Sequence, residues 1–125
     1  MSRAALKRPV RLRDVPVGEV LVGDAVEQLR RLPDGSVDCV VTSPPYFRLR
    51  NYGHRGQLGL EDHVDEWVAN LVAVMAAVRR VLTDTGTVWL NVGDSYSRHP
   101  AAGAPPKSLV LAPERLLLAL AADGW

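Results

Sequence analysis

The stretch Val37-Asp38-Cys39-Val40-Val41-Thr42-Ser43-Pro44-Pro45-Tyr46 decides how the chain is read. Val37 to Thr42 is β-branched and apolar, and it reads as a buried strand with Cys39 inside the core. The strand stops abruptly at Ser43, because two consecutive prolines lack backbone N–H groups and fix φ, so neither continues the ladder of an inner strand. The corner holds carbonyl oxygens in a rigid, acceptor-only array, with a hydroxyl before it at Ser43 and an aromatic face after it at Tyr46. Such a pocket can accept protons from an amino group while a flat ring stacks on the phenol. The structural alternative is a stiff strand-to-loop turn with a packed tyrosine.

Upstream, Val20-Leu21-Val22 followed by Gly23-Asp24 predicts another buried strand ending in a turn. Ala25 to Leu32 places Val26, Leu29 and Leu32 at helical spacing, and Pro33-Asp34-Gly35 closes that helix. Downstream, Phe47 to Leu60 is a long loop rich in Arg, Gly and aromatic residues. From Asp62 to Leu82 the residues Val64, Trp67, Val68, Leu71, Val72, Met75, Val78 and Leu82 recur at three and four, the pattern of an amphipathic helix. Its acids lie in the first turns and Arg79 and Arg80 in the last, as the helix dipole prefers. Thr83 to Gly86 predicts a turn into a third buried strand, Thr87 to Val92, and 93–106 a further loop. A last helix is expected over Pro113 to Ala122, with a possible start near Ser108 and a kink at Pro113, and Asp123-Gly124 ends it. Strands alternating with helices predict an α/β fold with three parallel strands, whose ligands gather beyond the strands' carboxyl ends.

Composition narrows the class. The 125 residues are 47% hydrophobic and 23% charged, the balance of one globular domain. Of the 15 Lys and Arg, five (Arg3, Lys7, Arg8, Arg11 and Arg13) fall in the first thirteen residues with no acid among them. Residues 1–18 therefore read as a basic arm, either a flexible tail or a phosphate-contacting segment, and 19–125 as the domain proper. A single cysteine excludes an intrachain disulfide and a cysteine-cluster metal site. No apolar run approaches a membrane span, and no apolar stretch follows the basic start as in a secretory signal, so the expectation is a cytoplasmic protein.

The polar groups at the three strand ends are Asp24, Ser43 to Tyr46, and Asn91 with Asp94, and they are expected on one edge of the sheet around a pocket. Arg48, Arg50 and Arg55, interleaved with Phe47, Tyr52 and His54, are candidates for contacts to nucleic acid, with a solvated surface as the alternative. His54 and His63 with Asp62 and Asp65 match no metal-site spacing, and no metal is expected.

The run Val40 to Tyr46, preceded by Gly23-Asp24 and by Leu32 to Asp38, resembles the amino-methyltransferases that modify DNA at cytosine N4 or adenine N6. The later run Gly86 to Tyr96 resembles the next strand of that family, and the likeness extends from about Gly18 to Trp125. The resemblance implies transfer of a methyl group from S-adenosylmethionine to the amino nitrogen of a base flipped out of double-stranded DNA. It implies catalytic roles for Ser43, Pro44, Pro45 and Tyr46, with the Ser43 side chain and the Pro44 carbonyl accepting the two amino protons and Tyr46 stacking on the base. It places Asp24 and Thr42 near the cofactor and Arg48, Arg50 and Arg55 against DNA. A serine in the first position of the tetrapeptide, where adenine-specific relatives usually have aspartate, favours cytosine N4 as the target. Adenine N6 is the alternative within the class, and a non-catalytic remnant that only binds nucleic acid or a partner chain is the alternative outside it.

The family's glycine-rich cofactor loop, which follows these segments in the permuted order, has no counterpart in this sequence. The expected fold is thus a partial Rossmann-like methyltransferase sheet whose central cofactor strands are missing. The expectation is an N-terminal fragment, a truncated gene product or one half of a split enzyme, the last with a complementing chain as partner.

Overall fold

The computed structural model describes residues 18–125, so the basic arm lies, but for Gly18, outside the described residues. The elements are α1 (Ala25–Arg30), β1 (Val37–Thr42), α2 (Val64–Val81), β2 (Leu82–Leu90) and α3 (Ala112–Ala122), with a short 3-10 turn at Pro100–Ala102. β1 and β2 pair in parallel, and α2 is the crossover that a parallel pair requires.

The long helix organises the core. Val64, Trp67, Leu71, Met75, Val78 and Val81 form its buried stripe, against which Ala112, Leu116 and Leu120 of α3 and the loop residues Phe47, Ala102 and Val110 pack. α2 begins where the His63 side chain accepts a hydrogen bond from the Asp65 amide at 3.1 Å. Asp62, expected in the helix, thus stays outside α2, and Leu82, expected as its last residue, already pairs in the sheet. Phe47, grouped in sequence with the exposed loop, is instead buried edge-on to Trp67, ring centroids 6.3 Å apart.

Two arginines at the end of α2 fasten the other helices. Arg80 donates to the Leu29 carbonyl at 2.7 Å and the Leu32 carbonyl at 3.1 Å and pairs with Asp34, which holds the end of α1 against α2. Arg79 donates to the Asp123 carbonyl at 2.9 Å and lies 4.6 Å from the Trp125 ring centroid, closing the end of α3.

The sheet departs from the sequence reading. Val20–Val22 is not a strand: Val20 and Val22 are 83% and 86% exposed. A strand needs a neighbour for its amides and carbonyls, and among the described residues none lies beside this segment. The Gln28 side chain donates to the Val22 carbonyl instead, at 3.1 Å. The sheet therefore has two strands where three were expected.

Neither strand is buried on both sides. Val40, Val88 and Leu90 pack on the core, whereas Val41 is 78% and Trp89 67% exposed. Cys39 is exposed too, not core, with its sulfur 3.6 Å from the Thr87 hydroxyl. The cause is architectural: helices cover one face, and nothing among the described residues covers the other. Thr83 to Gly86, expected as a turn, lies within β2 but out of register, since Leu82 faces Val37 while Thr87 already faces Cys39.

The first helix ends at Arg30, two residues before Leu32. α3 starts at Ala112 and not near Ser108, with Pro113 in its first turn. A missing N–H costs nothing there, so no kink arises. No helix among the described residues is long and apolar enough to cross a membrane.

Arg80→Met keeps the aliphatic stem and removes the side-chain hydrogen bonds to Leu29, Leu32 and Asp34. The expected loss is about 1–2 kcal/mol for a half-exposed charged donor. Urea unfolding reads it, with faster amide exchange confined to residues 25–36; an unchanged midpoint contradicts the clamp.

Candidate active site

Pairing continues to the last residue of β1, because the Asn91 amide donates to the Thr42 carbonyl at 2.9 Å. The chain then leaves the sheet at Ser43, and the corner is fixed from three sides. From α2, the buried Trp67 donates its indole N–H to the Pro45 carbonyl at 2.9 Å. From the loop after β2, Gly93 lies against the Tyr46 ring so closely that a Cβ there would stand 2.7 Å from a ring carbon. From the loop after Phe47, Gly59 adopts φ +98°, and a Cβ would meet both the Pro45 side chain and the Tyr46 carbonyl at 3.0 Å. Only glycine permits these approaches.

Asp94 secures the second loop. Its carboxylate accepts the amides of Ser95 at 2.8 Å, Leu111 at 2.9 Å and Ala112 at 3.1 Å, which caps the start of α3. Ser95 donates its hydroxyl to the Phe47 carbonyl at 2.9 Å, so the two loops are also tied to each other. Asp94, expected with Asn91 around the pocket, thus acts through the backbone, and Asn91 through the ladder.

Ser43, Pro44 and Tyr46 line one cavity of about 210 Å³ together with Leu49, Arg50 and Tyr52. Its size is below the roughly 300–1,000 Å³ typical of drug-sized ligands and suits a single flat heterocycle. The Ser43 hydroxyl lies 3.4 Å from the Tyr46 hydroxyl, a long hydrogen bond that leaves its acceptor capacity largely unspent. Pro45 spends its carbonyl on Trp67, but among the described residues no hydrogen bond reaches the Pro44 carbonyl.

The remaining candidates separate. Asp24 is the exposed N-cap of α1, accepting the Glu27 amide at 3.0 Å. Thr42 lines a second, largely aliphatic cavity of about 300 Å³ with Ala25, Leu29, Val40, Pro44 and Met75. Arg48 adopts φ +50° and binds inward, to the Glu61 carbonyl at 3.0 Å and the Asp62 carboxylate at 3.1 Å. Arg50 stands at the cavity and Arg55 is exposed. His63 serves as a helix cap, and no cluster suited to a metal occurs among the described residues. Gly59 and Gly93 escape the sequence reading as site residues, and Trp67 figures there only in the apolar stripe of the helix; the one signal for Gly93 is its place beside Asp94 in the loop after a strand.

The family model of DNA methylases of the N6/N4 type matches residues 37–125, the greater part of the chain. The chain belongs to this DNA methylase family. It is 48% identical to the Type II methyltransferase M.XycI of Xanthomonas campestris pv. cyanopsidis, over 82% of this chain and 41% of that protein. It is 49% identical to the Type II methyltransferase M.SfiI of Streptomyces fimbriatus, over 83% of this chain and 27% of the relative. Among solved structures, the cytosine-N4-specific PvuII DNA methyltransferase matches with a TM-score of 0.58 at 24% identity, covering 82% of this chain and 32% of that one. The fold is accordingly a partial methyltransferase fold, and the chain spans about two fifths or less of the length of these relatives.

Gly93→Ala drives a methyl group into the Tyr46 ring. An overpacking cost of about 1–3 kcal/mol is expected, with a changed near-ultraviolet tyrosine signal. A spectrum and stability equal to wild type would show that the ring does not depend on that glycine.

Proposed function

We propose that this chain is the base-handling part of a DNA amino-methyltransferase acting at cytosine N4, in the type II modification setting for which its relatives are named. The observation that carries the reading is the convergence of Ser43, Pro44 and Tyr46 on one cavity of heterocycle size.

An exocyclic amino nitrogen is a poor nucleophile because its lone pair is delocalised into the ring. Two acceptors placed for its two protons favour a pyramidal nitrogen with a localised pair, by electrostatics and orientation and with no covalent enzyme intermediate. The Ser43 hydroxyl oxygen and the Pro44 carbonyl fill those roles, Pro45 keeps the corner rigid through Trp67, and Tyr46 offers the stacking surface to a flipped base. Ser43 in place of a carboxylate supports cytosine over adenine. Arg50 and Arg55 contact the DNA, and Arg48 shapes the loop that carries them.

The methyl donor of this reading is S-adenosylmethionine, which supplies an electrophilic methyl group when bound. Its carboxylate and ammonium need polar partners. Thr42 and Pro44 border a cavity that is otherwise aliphatic, and Asp24 commits its carboxylate to α1. The described residues therefore do not fit the donor by themselves. Double-stranded DNA is the substrate, and the donor is held by a further segment or a complementing chain that seats against the uncovered part of the sheet. Such an enzyme works in the cytoplasm, where the DNA is.

Ser43→Ala, assayed with the complementing part present, is expected to lower methyl transfer at least about 100-fold while DNA affinity stays within about twofold. Equal turnover removes Ser43 from the mechanism. Calorimetry of S-adenosylmethionine against this chain alone is expected to give no micromolar binding, and micromolar affinity would overturn the assignment of the donor site elsewhere.

A further inference from the structure

The loop between Arg50 and Gln57 is held with unusual economy by one side chain. The Gln57 amide oxygen accepts the Tyr52 N–H at 2.7 Å, and its nitrogen donates to the Arg50 carbonyl at 3.1 Å. A single carboxamide thus pairs with both backbone groups flanking Asn51, as a neighbouring strand would. Asn51 accepts the Gly53 amide at 2.7 Å within the same turn, and Gly53 sits at φ +74°. The base of the loop is closed where the Arg48 amide donates to the Gly59 carbonyl at 2.7 Å.

These bonds fix a segment whose largest side chain is 59% exposed: Tyr52 lines the same cavity as Ser43, Pro44 and Tyr46. An isolated exposed ring needs no explanation. A ring brought to the rim of a polar cavity, on a loop tied from within, offers stacking area at little ordering cost.

We propose that Tyr52 is a second aromatic wall of the base pocket, and that Gln57 is the positioning residue that presents it. The proposal rests on the reading of this cavity as the pocket for a flipped pyrimidine. It adds a contact that would recognise the flat face of the base, independent of the acceptors that recognise its amino group. Gln57 acts through the Arg50 and Tyr52 peptide groups, without touching the base.

Nuclear magnetic resonance of the isotopically labelled full chain, titrated with deoxycytidine 5′-monophosphate, tests this. The account predicts amide shifts at Ser43, Tyr46 and Tyr52, together with upfield ring-current shifts of the pyrimidine protons. Tyr52→Ala and Tyr52→Leu are expected to weaken binding about fivefold or more and to reduce those ring-current shifts, whereas Tyr52→Phe restores both. Gln57→Leu is expected to give the same loss while the amide signals of α2 and α3 stay in place, so that a folding defect is told apart from mispositioning. Shifts at Ser43 and Tyr46 with Tyr52→Ala binding as wild type would overturn the proposal and leave the base pocket standing. Absence of shifts at Tyr46 and Tyr52 alike would overturn both.

Discussion

The hydrogen bond from the Trp67 indole to the Pro45 carbonyl couples the best-formed element of the molecule to its most constrained corner. A buried indole N–H without an acceptor would be costly, and a proline carbonyl leaving the sheet has no ladder partner, so each group satisfies the other. Because Trp67 lies in the buried stripe of α2, the stability of the helix core is transmitted to the corner. Pro45 is thereby committed to structure, whereas among the described residues no hydrogen bond reaches the carbonyl of Pro44.

The sheet is the opposite case. Parallel strands are ordinarily covered on both faces, yet here Val41 and Trp89 stand in solvent beside an exposed cysteine. Two strands also leave open edges, and Val20–Val22 has apolar content but no partner. These features agree with a chain that spans about two fifths of a relative such as M.XycI. The Ser43–Tyr46 corner needs only β1, α2, β2 and the two loops tied by Ser95 and Asp94. In the proposed reading the methyl donor is held by surfaces outside these elements.

Local chemistry made part of this legible in the sequence. The spacing of Val64, Trp67, Leu71, Met75 and Val78 specifies α2, since the periodicity is carried by the residues themselves. Ser43-Pro44-Pro45-Tyr46 specifies a rigid strand end for the same reason. Features that depend on distant partners were not legible. Asp94 is a cap for a helix that begins eighteen residues later, and nothing local marks it as one. Gly93 and Gly59 matter only because Tyr46 and Pro45 fold against them. At Val20–Val22 and Cys39 apolar sequence implies burial, yet burial requires a neighbour. At Phe47 the opposite holds, because membership of an arginine-rich loop hides its contact with Trp67.

The central claim is that the Ser43–Pro44 acceptor pair prepares a cytosine amino group for methylation. Nucleoside mass spectrometry of DNA from a methylation-free host that expresses this chain with its complementing part tests it most directly. The account predicts 4-methyl-deoxycytidine that disappears with the Ser43→Ala chain. The appearance of 6-methyl-deoxyadenosine in its place, or of unmodified DNA with both parts folded and bound, would contradict it.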